Sequence, residues 1–149
     1  MKKQLMGSLL VVLVIAVGAG MVLAQTASTS NNTKSVIYVA ADKAQFKPAP
    51  AQGASMAPLF GDADKGSHAT LTKFDPGYEA GMHTHTNDVW IIVLKGTYVY
   101  KDEAGEKRVG PGDFIRVPGG HKHSSGGDKT EGALFYEEGS GKFDLIPAK

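Results

Sequence analysis

The chain has 149 residues, with 16 basic and 15 acidic side chains and a net charge of +1, and this length predicts a single domain. No basic patch is visible along the sequence, so we expect no nucleic-acid partner. Cysteine is absent, so disulfide bonds cannot stabilise the domain. Nineteen glycines and seven prolines predict many turns, which favours short strands over long helices.

Residues 1–24 have the layout of a secretory signal peptide. Lys2 and Lys3 precede an uncharged apolar run, Leu9 to Ala24, that ends in small residues. We therefore predict cleavage after Ala24 and a periplasmic or secreted protein that begins at Gln25. The alternative is an uncleaved anchor, which would make the membrane a partner, because the uncharged run approaches the roughly 20 residues that span a bilayer.

The remaining chain predicts an all-β domain. Residues 25–35, QTASTSNNTKS, are predicted to be a flexible linker, and residues 36–149 form the domain. VIYVA predicts a strand over 36–40, and proline and glycine predict an irregular segment over 47–66. The later predicted strands are HATLTKF, MHTHT, VWIIVL, TYVYK, KRV, FIRVP, ALFYEE and KFDLI. Seven or eight short strands without a helix of more than two turns predict a small barrel or sandwich.

Four of the five histidines fall in two His-x-His pairs, His83 with His85 and His121 with His123. Residues i and i+2 of a strand point to the same face, with Cα atoms roughly 6–7 Å apart. Each pair can therefore offer two imidazoles to one metal ion held at about 2.0–2.1 Å. A solvated strand face explains one such pair equally well. Two pairs, on strands that face each other across a barrel, favour a metal site.

The spacing of glycine, proline and histidine resembles the two sequence motifs of the cupin superfamily. The motif Gly-x5-His-x-His-x3-Glu-x6-Gly matches GYEAGMHTHTNDVWIIVLKG, residues 77–96, and Gly-x5-Pro-x-Gly-x2-His-x3-Asn matches GDFIRVPGGHKHSSGG, residues 112–127. The resemblance implies a double-stranded β-helix, the jelly-roll barrel of cupins, with metal ligands His83, His85 and His123. It is also compatible with a homodimer, since many cupins associate through their outer strands.

Two positions depart from these motifs, because Val89 replaces the glutamate and Gly127 replaces the asparagine. No carboxylate then joins the three histidines, unless a β-bulge turns Asp88 inward. His121 has three interpretations: a fourth ligand, a catalytic acid–base or supporting group, or an exposed loop histidine. His68 is interpreted as structural or exposed.

Three neutral imidazoles suit one divalent transition metal, with zinc or iron expected first and copper or nickel also compatible. Manganese and magnesium prefer oxygen ligands. We expect binding to weaken below about pH 6, because imidazoles with a pKa near 6.5 take up protons there.

The alternation of side chains predicts a pocket wall formed by Val89, Ile91, Tyr98 and Tyr100, although barrel core explains each aliphatic residue as well. Trp90 falls on the opposite face. An apolar cavity with a few hydroxyl groups suits a small organic ligand. Two functions stay open: a metal-dependent enzyme, an oxidoreductase with dioxygenase-like chemistry, and a non-catalytic cupin that binds or senses a metal or small ligand. The fold hosts both.

Overall fold

The computed structural model describes residues 35–149, so the predicted signal peptide and nearly all of the predicted linker lie outside the described residues. Within this range the regular structure is almost entirely β. The single helical element is a 3-10 turn, Ala41–Lys43. Within the same range, no helix is long and apolar enough to cross a membrane. The prediction of an all-β domain is therefore confirmed.

Eleven strands form two antiparallel sheets in the described part of the chain. Their bounds are β1 Lys47–Pro48, β2 Ala54–Gly61, β3 His68–Phe74, β4 Glu79–Thr84, β5 Val89–Gly96, β6 Tyr98–Asp102, β7 Gly105–Val109, β8 Phe114–Val117, β9 His123–Gly127, β10 Ala133–Gly139 and β11 Ile146–Pro147. The six-stranded sheet has the order β1-β2-β3-β10-β5-β8, and the five-stranded sheet has the order β11-β4-β9-β6-β7.

The inner faces of the two sheets form the core. Along β5, Val89, Ile91 and Val93 are at most 5% exposed, whereas Ile92 and Leu94 on the other face are 40% and 49% exposed. This alternation is the period of two that a half-buried strand requires. Trp90 lies on the outer face, as predicted, where it pairs with Arg116 of β8.

Gly96 shows why the motif needs glycine where β5 turns into β6. Its φ is +71°, in the left-handed region that side chains disfavour. A Cβ atom there would lie 2.4 Å from the carbonyl oxygen of Gly132. Both the backbone conformation and the close approach of a second chain segment therefore exclude larger residues.

Three sequence predictions about strands are wrong. Residues 36–40 form no strand and are mostly exposed, because their β-branched pattern finds no partner strand. Residues 47–66 are not irregular, because they contain β1 and the eight-residue β2. Pro58 fits in β2 because the register shifts there, between Pro58 and Phe60. The predicted last strand is reduced to β11, and residues 142–145 form no strand.

Candidate metal centre

Three histidines converge on the inner face of the five-stranded sheet. His83 lies in β4, His85 follows that strand, and His123 begins β9. Each offers one ring nitrogen, and the three nitrogens lie within 4.8 Å of one another. The side chains are only 1%, 9% and 1% exposed in the same order. The structure therefore brings together the three residues that were predicted as ligands.

The two strands that carry these histidines are neighbours, since β4 pairs with β9 and His83 lies opposite His123. The prediction of two strands facing each other across a barrel is therefore wrong. Side chains directly opposite each other on adjacent antiparallel strands are close neighbours, so the distance between His83 and His123 is shorter than it would be between two facing sheets. His85 completes the cluster from beyond the end of β4.

The remaining nitrogen of each ring is held by a backbone carbonyl. The Nδ1 atoms of His83, His85 and His123 lie 2.8, 2.5 and 2.9 Å from the carbonyl oxygens of Gly81, Asp144 and His121. A carbonyl accepts only, so each Nδ1 carries the proton and donates it. Each Nε2 lone pair is then free to bind a metal. This outer arrangement is the one that metal-ligating histidines show.

Burial keeps these rings neutral. Desolvation lowers the pKa of all three histidines, and it lowers that of His123 to about 4. A neutral imidazole is the form that binds a transition metal. The donor set therefore fits zinc or iron, and it also fits copper or nickel.

His121 lies outside the three-histidine cluster. Its Nε2 lies 3.3 Å from Oδ2 of Asp102, and its side chain is 40% exposed. The same carboxylate accepts a hydrogen bond from the hydroxyl of Tyr100 at 3.0 Å. This position does not make His121 a fourth ligand, and its predicted catalytic role stays a prediction.

Asp88 does not complete the cluster either. Its carboxylate accepts hydrogen bonds from Arg116 Nε at 3.0 Å and from the Gly119 amide at 2.9 Å. These bonds hold it at the protein surface. The bulge that would turn Asp88 inward is absent, and the motif position itself, Val89, cannot act as a ligand.

A cavity of about 360 Å³ adjoins the three imidazoles, between the inner faces of the sheets. Most of its lining is apolar or aromatic. The lining residues include Met56, Phe74, Tyr78, Val89, Ile91, Tyr98, Val117, Phe143 and Leu145. Three of the four predicted pocket residues are among them, but Tyr100 is not. Its ring instead stacks on His123, with centroids 5.5 Å apart and planes 16° apart.

The loop before β11 covers one side of the site. Phe143 lies against His85, with ring centroids 5.4 Å apart, and His68 meets the edge of Phe143 at 6.1 Å. His68 is 2% exposed and its Nδ1 donates to the Gly66 carbonyl at 2.9 Å. It is therefore structural, and the interpretation of His68 as exposed is wrong.

Glu137 is a polar residue of the cavity wall that was not predicted from the sequence. It lies in β10, is 8% exposed, and has one buried oxygen without a hydrogen-bond partner. Burial raises its pKa to about 7. The signal was present in ALFYEE, because Glu137 shares the phase of the apolar Ala133 and Phe135.

Comparisons with known proteins agree with this fold. The family model described as the ChrR cupin-like domain matches residues 34–141. No curated protein matches the chain.

Similar solved structures include a polyketide cyclase, RemF, from Streptomyces resistomycificus, at 18% identity and a TM-score of 0.67, over 77% of this chain and 87% of that one. KdgF from a Halomonas species has 19% identity and a TM-score of 0.57, over 69% of this chain and 94% of that one. An RmlC-like cupin from Shewanella frigidimarina has 19% identity and a TM-score of 0.58, over 71% of this chain and 91% of that one. At such identities the likeness shows the fold alone. Together with the family match, it shows that the chain belongs to the cupin superfamily, in the family of the ChrR cupin-like domain.

Proposed function

We propose that this chain is an exported cupin that binds one divalent transition metal through His83, His85 and His123, and that it is a metal-dependent enzyme acting on a small organic molecule. The observation that carries the proposal is the convergence of three buried, neutral imidazoles on the wall of a largely apolar cavity of about 360 Å³.

The protein residues provide positioning and an apolar environment. The hydrogen bonds from Nδ1 of His83, His85 and His123 to backbone carbonyls fix the orientation of the three rings. The Nε2 atoms are therefore in position before a metal binds. Phe143 and Val89 line the cavity beside the cluster and make its wall apolar. When bound, a metal with three imidazole ligands supplies Lewis-acid or redox chemistry at its open positions. Oxygen-dependent, dioxygenase-like chemistry on an apolar ligand is the leading reaction type.

Metal analysis followed by an oxygen-uptake screen tests this proposal. Protein purified without added metal is expected to contain about one zinc or iron ion per chain. With iron, oxygen consumption is expected in the presence of a small aromatic or enolic substrate, and it is expected to disappear in His123→Ala. His121→Ala, whose ring lies outside the cluster, is the matched metal-binding control. Bound metal without turnover of any compound would instead support a non-catalytic binder or sensor.

Export is the second part of the proposal, supported by the charged start and apolar run of residues 1–24. N-terminal sequencing of protein recovered from outside the cytoplasm is expected to begin at Gln25. A full-length chain in the membrane fraction would instead support the anchor.

A further inference from the structure

The polar groups of the cavity lie on two opposite walls. His83 and His123 belong to the five-stranded sheet, and Glu137 belongs to β10 of the six-stranded sheet. All three line the same cavity of about 360 Å³. Glu137 is not part of the cluster of nitrogens that lie within 4.8 Å of one another. A ligand in the cavity would therefore have the metal-binding wall on one side and a carboxyl group on the other.

The carboxyl group of Glu137 has no evident role in folding. Its neighbours across the sheet are Ile91 of β5 and Thr70 of β3. The Thr70 hydroxyl is paired with that of Thr72, at 2.9 Å. One oxygen of Glu137 is thus buried without a partner among the described residues. Burying such a group is costly, and an apolar side chain of similar size would suit the core better.

We infer that Glu137 is a ligand-binding residue, and that the ligand is a largely apolar molecule with a hydroxyl group, of the phenol or enol class, which donates a hydrogen bond to this carboxyl group. The inference deepens the proposed function and rests on it for the location of the site. It assigns the hydroxyl end of the ligand to the six-stranded sheet and the opposite end to the three histidines.

The chemistry of the walls selects this class of ligand. Phe74, Ile91 and Phe143 require an apolar, preferably flat body between the sheets. The ionised carboxylate of Glu137 only accepts hydrogen bonds, so its unpaired oxygen then requires a donor. A cationic donor would be repelled by a divalent ion on the facing wall, whereas a neutral hydroxyl would not. The pKa of Glu137, raised to about 7 by burial, makes its carboxylate a stronger hydrogen-bond acceptor than an ordinary one.

The test compares 2-naphthol with naphthalene, two probes that share one apolar body and differ by a hydroxyl group. Binding is measured by equilibrium dialysis at pH 8 on the protein as purified, with its metal. The parent is expected to bind 2-naphthol about tenfold or more tightly than naphthalene. Glu137→Leu is expected to lose this preference and to bind naphthalene at least as well as the parent does. Glu137→Gln, which keeps the shape and a neutral acceptor, is expected to fall between them.

Glu138→Gln is the matched control, because Glu138 is the next residue of β10 and points to the outer face, where it accepts a hydrogen bond from Tyr136 at 2.8 Å. It is expected to keep the full preference for 2-naphthol. Circular dichroism and thermal melting establish that each variant is folded. Equal binding of both probes by the parent, no binding of either, or an unchanged preference in Glu137→Leu would each overturn the inference.

Probe binding, set beside metal-dependent oxygen uptake in the parent and in His123→Ala, separates this inference from the proposed function. A preference for 2-naphthol without any metal-dependent activity would support the role of Glu137 and contradict the proposed enzyme. Metal-dependent activity in a protein that binds both probes equally would support the enzyme and contradict the role of Glu137.

Discussion

His83 and His123 lie directly opposite each other in the β4–β9 ladder, and their ring centroids are 4.3 Å apart. Backbone hydrogen bonds between the two strands therefore set the spacing of two of the three candidate ligands. The third ring, that of His85, lies 4.9 Å from His83 and 5.3 Å from His123. The cluster is thus built largely by one strand pair and is arranged before a metal binds.

We expect His83→Ala, His85→Ala and His123→Ala each to weaken metal binding by more than the roughly 10–100-fold that loss of an outer hydrogen-bond partner costs. Calorimetric titration with zinc measures this directly. Asp88→Asn is a control, because Asp88 bonds Arg116 and Gly119 away from the cluster. An Asp88→Asn variant that loses affinity while His123→Ala keeps it would contradict the ligand assignment.

The pH dependence of metal binding is expected to differ from that of exposed histidines. Burial lowers the pKa of all three rings, and that of His123 to about 4, so the neutral form persists as the pH falls through 6.5. Zinc is therefore expected to stay bound at pH 6, below the pKa near 6.5 of free imidazole, and to be released only at lower pH. Zinc occupancy measured after dialysis at stepwise lower pH tests this. Half-release above about pH 6 would show that the rings titrate as exposed ones.

Glu137→Gln is expected to stabilise the protein at alkaline pH. The folded-state pKa of Glu137, about 7, lies above its ordinary value of 4.5, so folding disfavours the ionised form. The destabilisation is absent below pH 4.5, grows as the pH rises towards 7, and reaches about 3 kcal/mol above it. Urea unfolding of both proteins at pH 4 and pH 8 measures the difference. An equal stability difference at the two pH values would mean that Glu137 does not titrate in this range.

Restoring the motif glutamate is expected to separate metal affinity from stability. Val89 is 5% exposed and lies on the cavity wall with the histidines. Val89→Glu would bury a carboxyl group, which is expected to destabilise the metal-free protein by about 2–4 kcal/mol. Because this position holds a ligand in many cupins, zinc is expected to bind more tightly and to raise the melting temperature of the variant more than that of the parent. Val89→Leu keeps the site apolar and is the control. Equal zinc affinity in Val89→Glu and the parent would show that the position cannot reach the ion.

The sequence predicted those parts of the fold and site that depend on local spacing. The alternation of Val89, Ile91 and Val93 with other residues predicts the strand β5 and its inner face. The His-x-His spacing predicts that His83 and His85 lie on one face. The choice of a partner strand is not local, so the predicted strand over residues 36–40 is wrong: that segment pairs with no other strand. Pro58 hid β2, because a register shift that tolerates proline is visible only in the paired strands. Glu137 is found only if the inward-facing positions of β10 are counted at every second residue, including a polar one. A search for apolar residues alone passes over it.

The hydrogen bond between His85 and the carbonyl of Asp144 joins residues 59 positions apart in sequence. The Asp144 carboxylate also binds the amide and hydroxyl of Thr86 at 2.8 and 2.6 Å, so one residue fixes the backbone and the ring of this region. This contact can form only when residues 140–149 pack beside β4. A chain in which residues 140–149 have not docked lacks both the carbonyl that orients His85 and the strand that pairs with β4 opposite His83. The ion would then bind the native state more tightly than a partly folded chain, so bound metal would indicate that folding is complete.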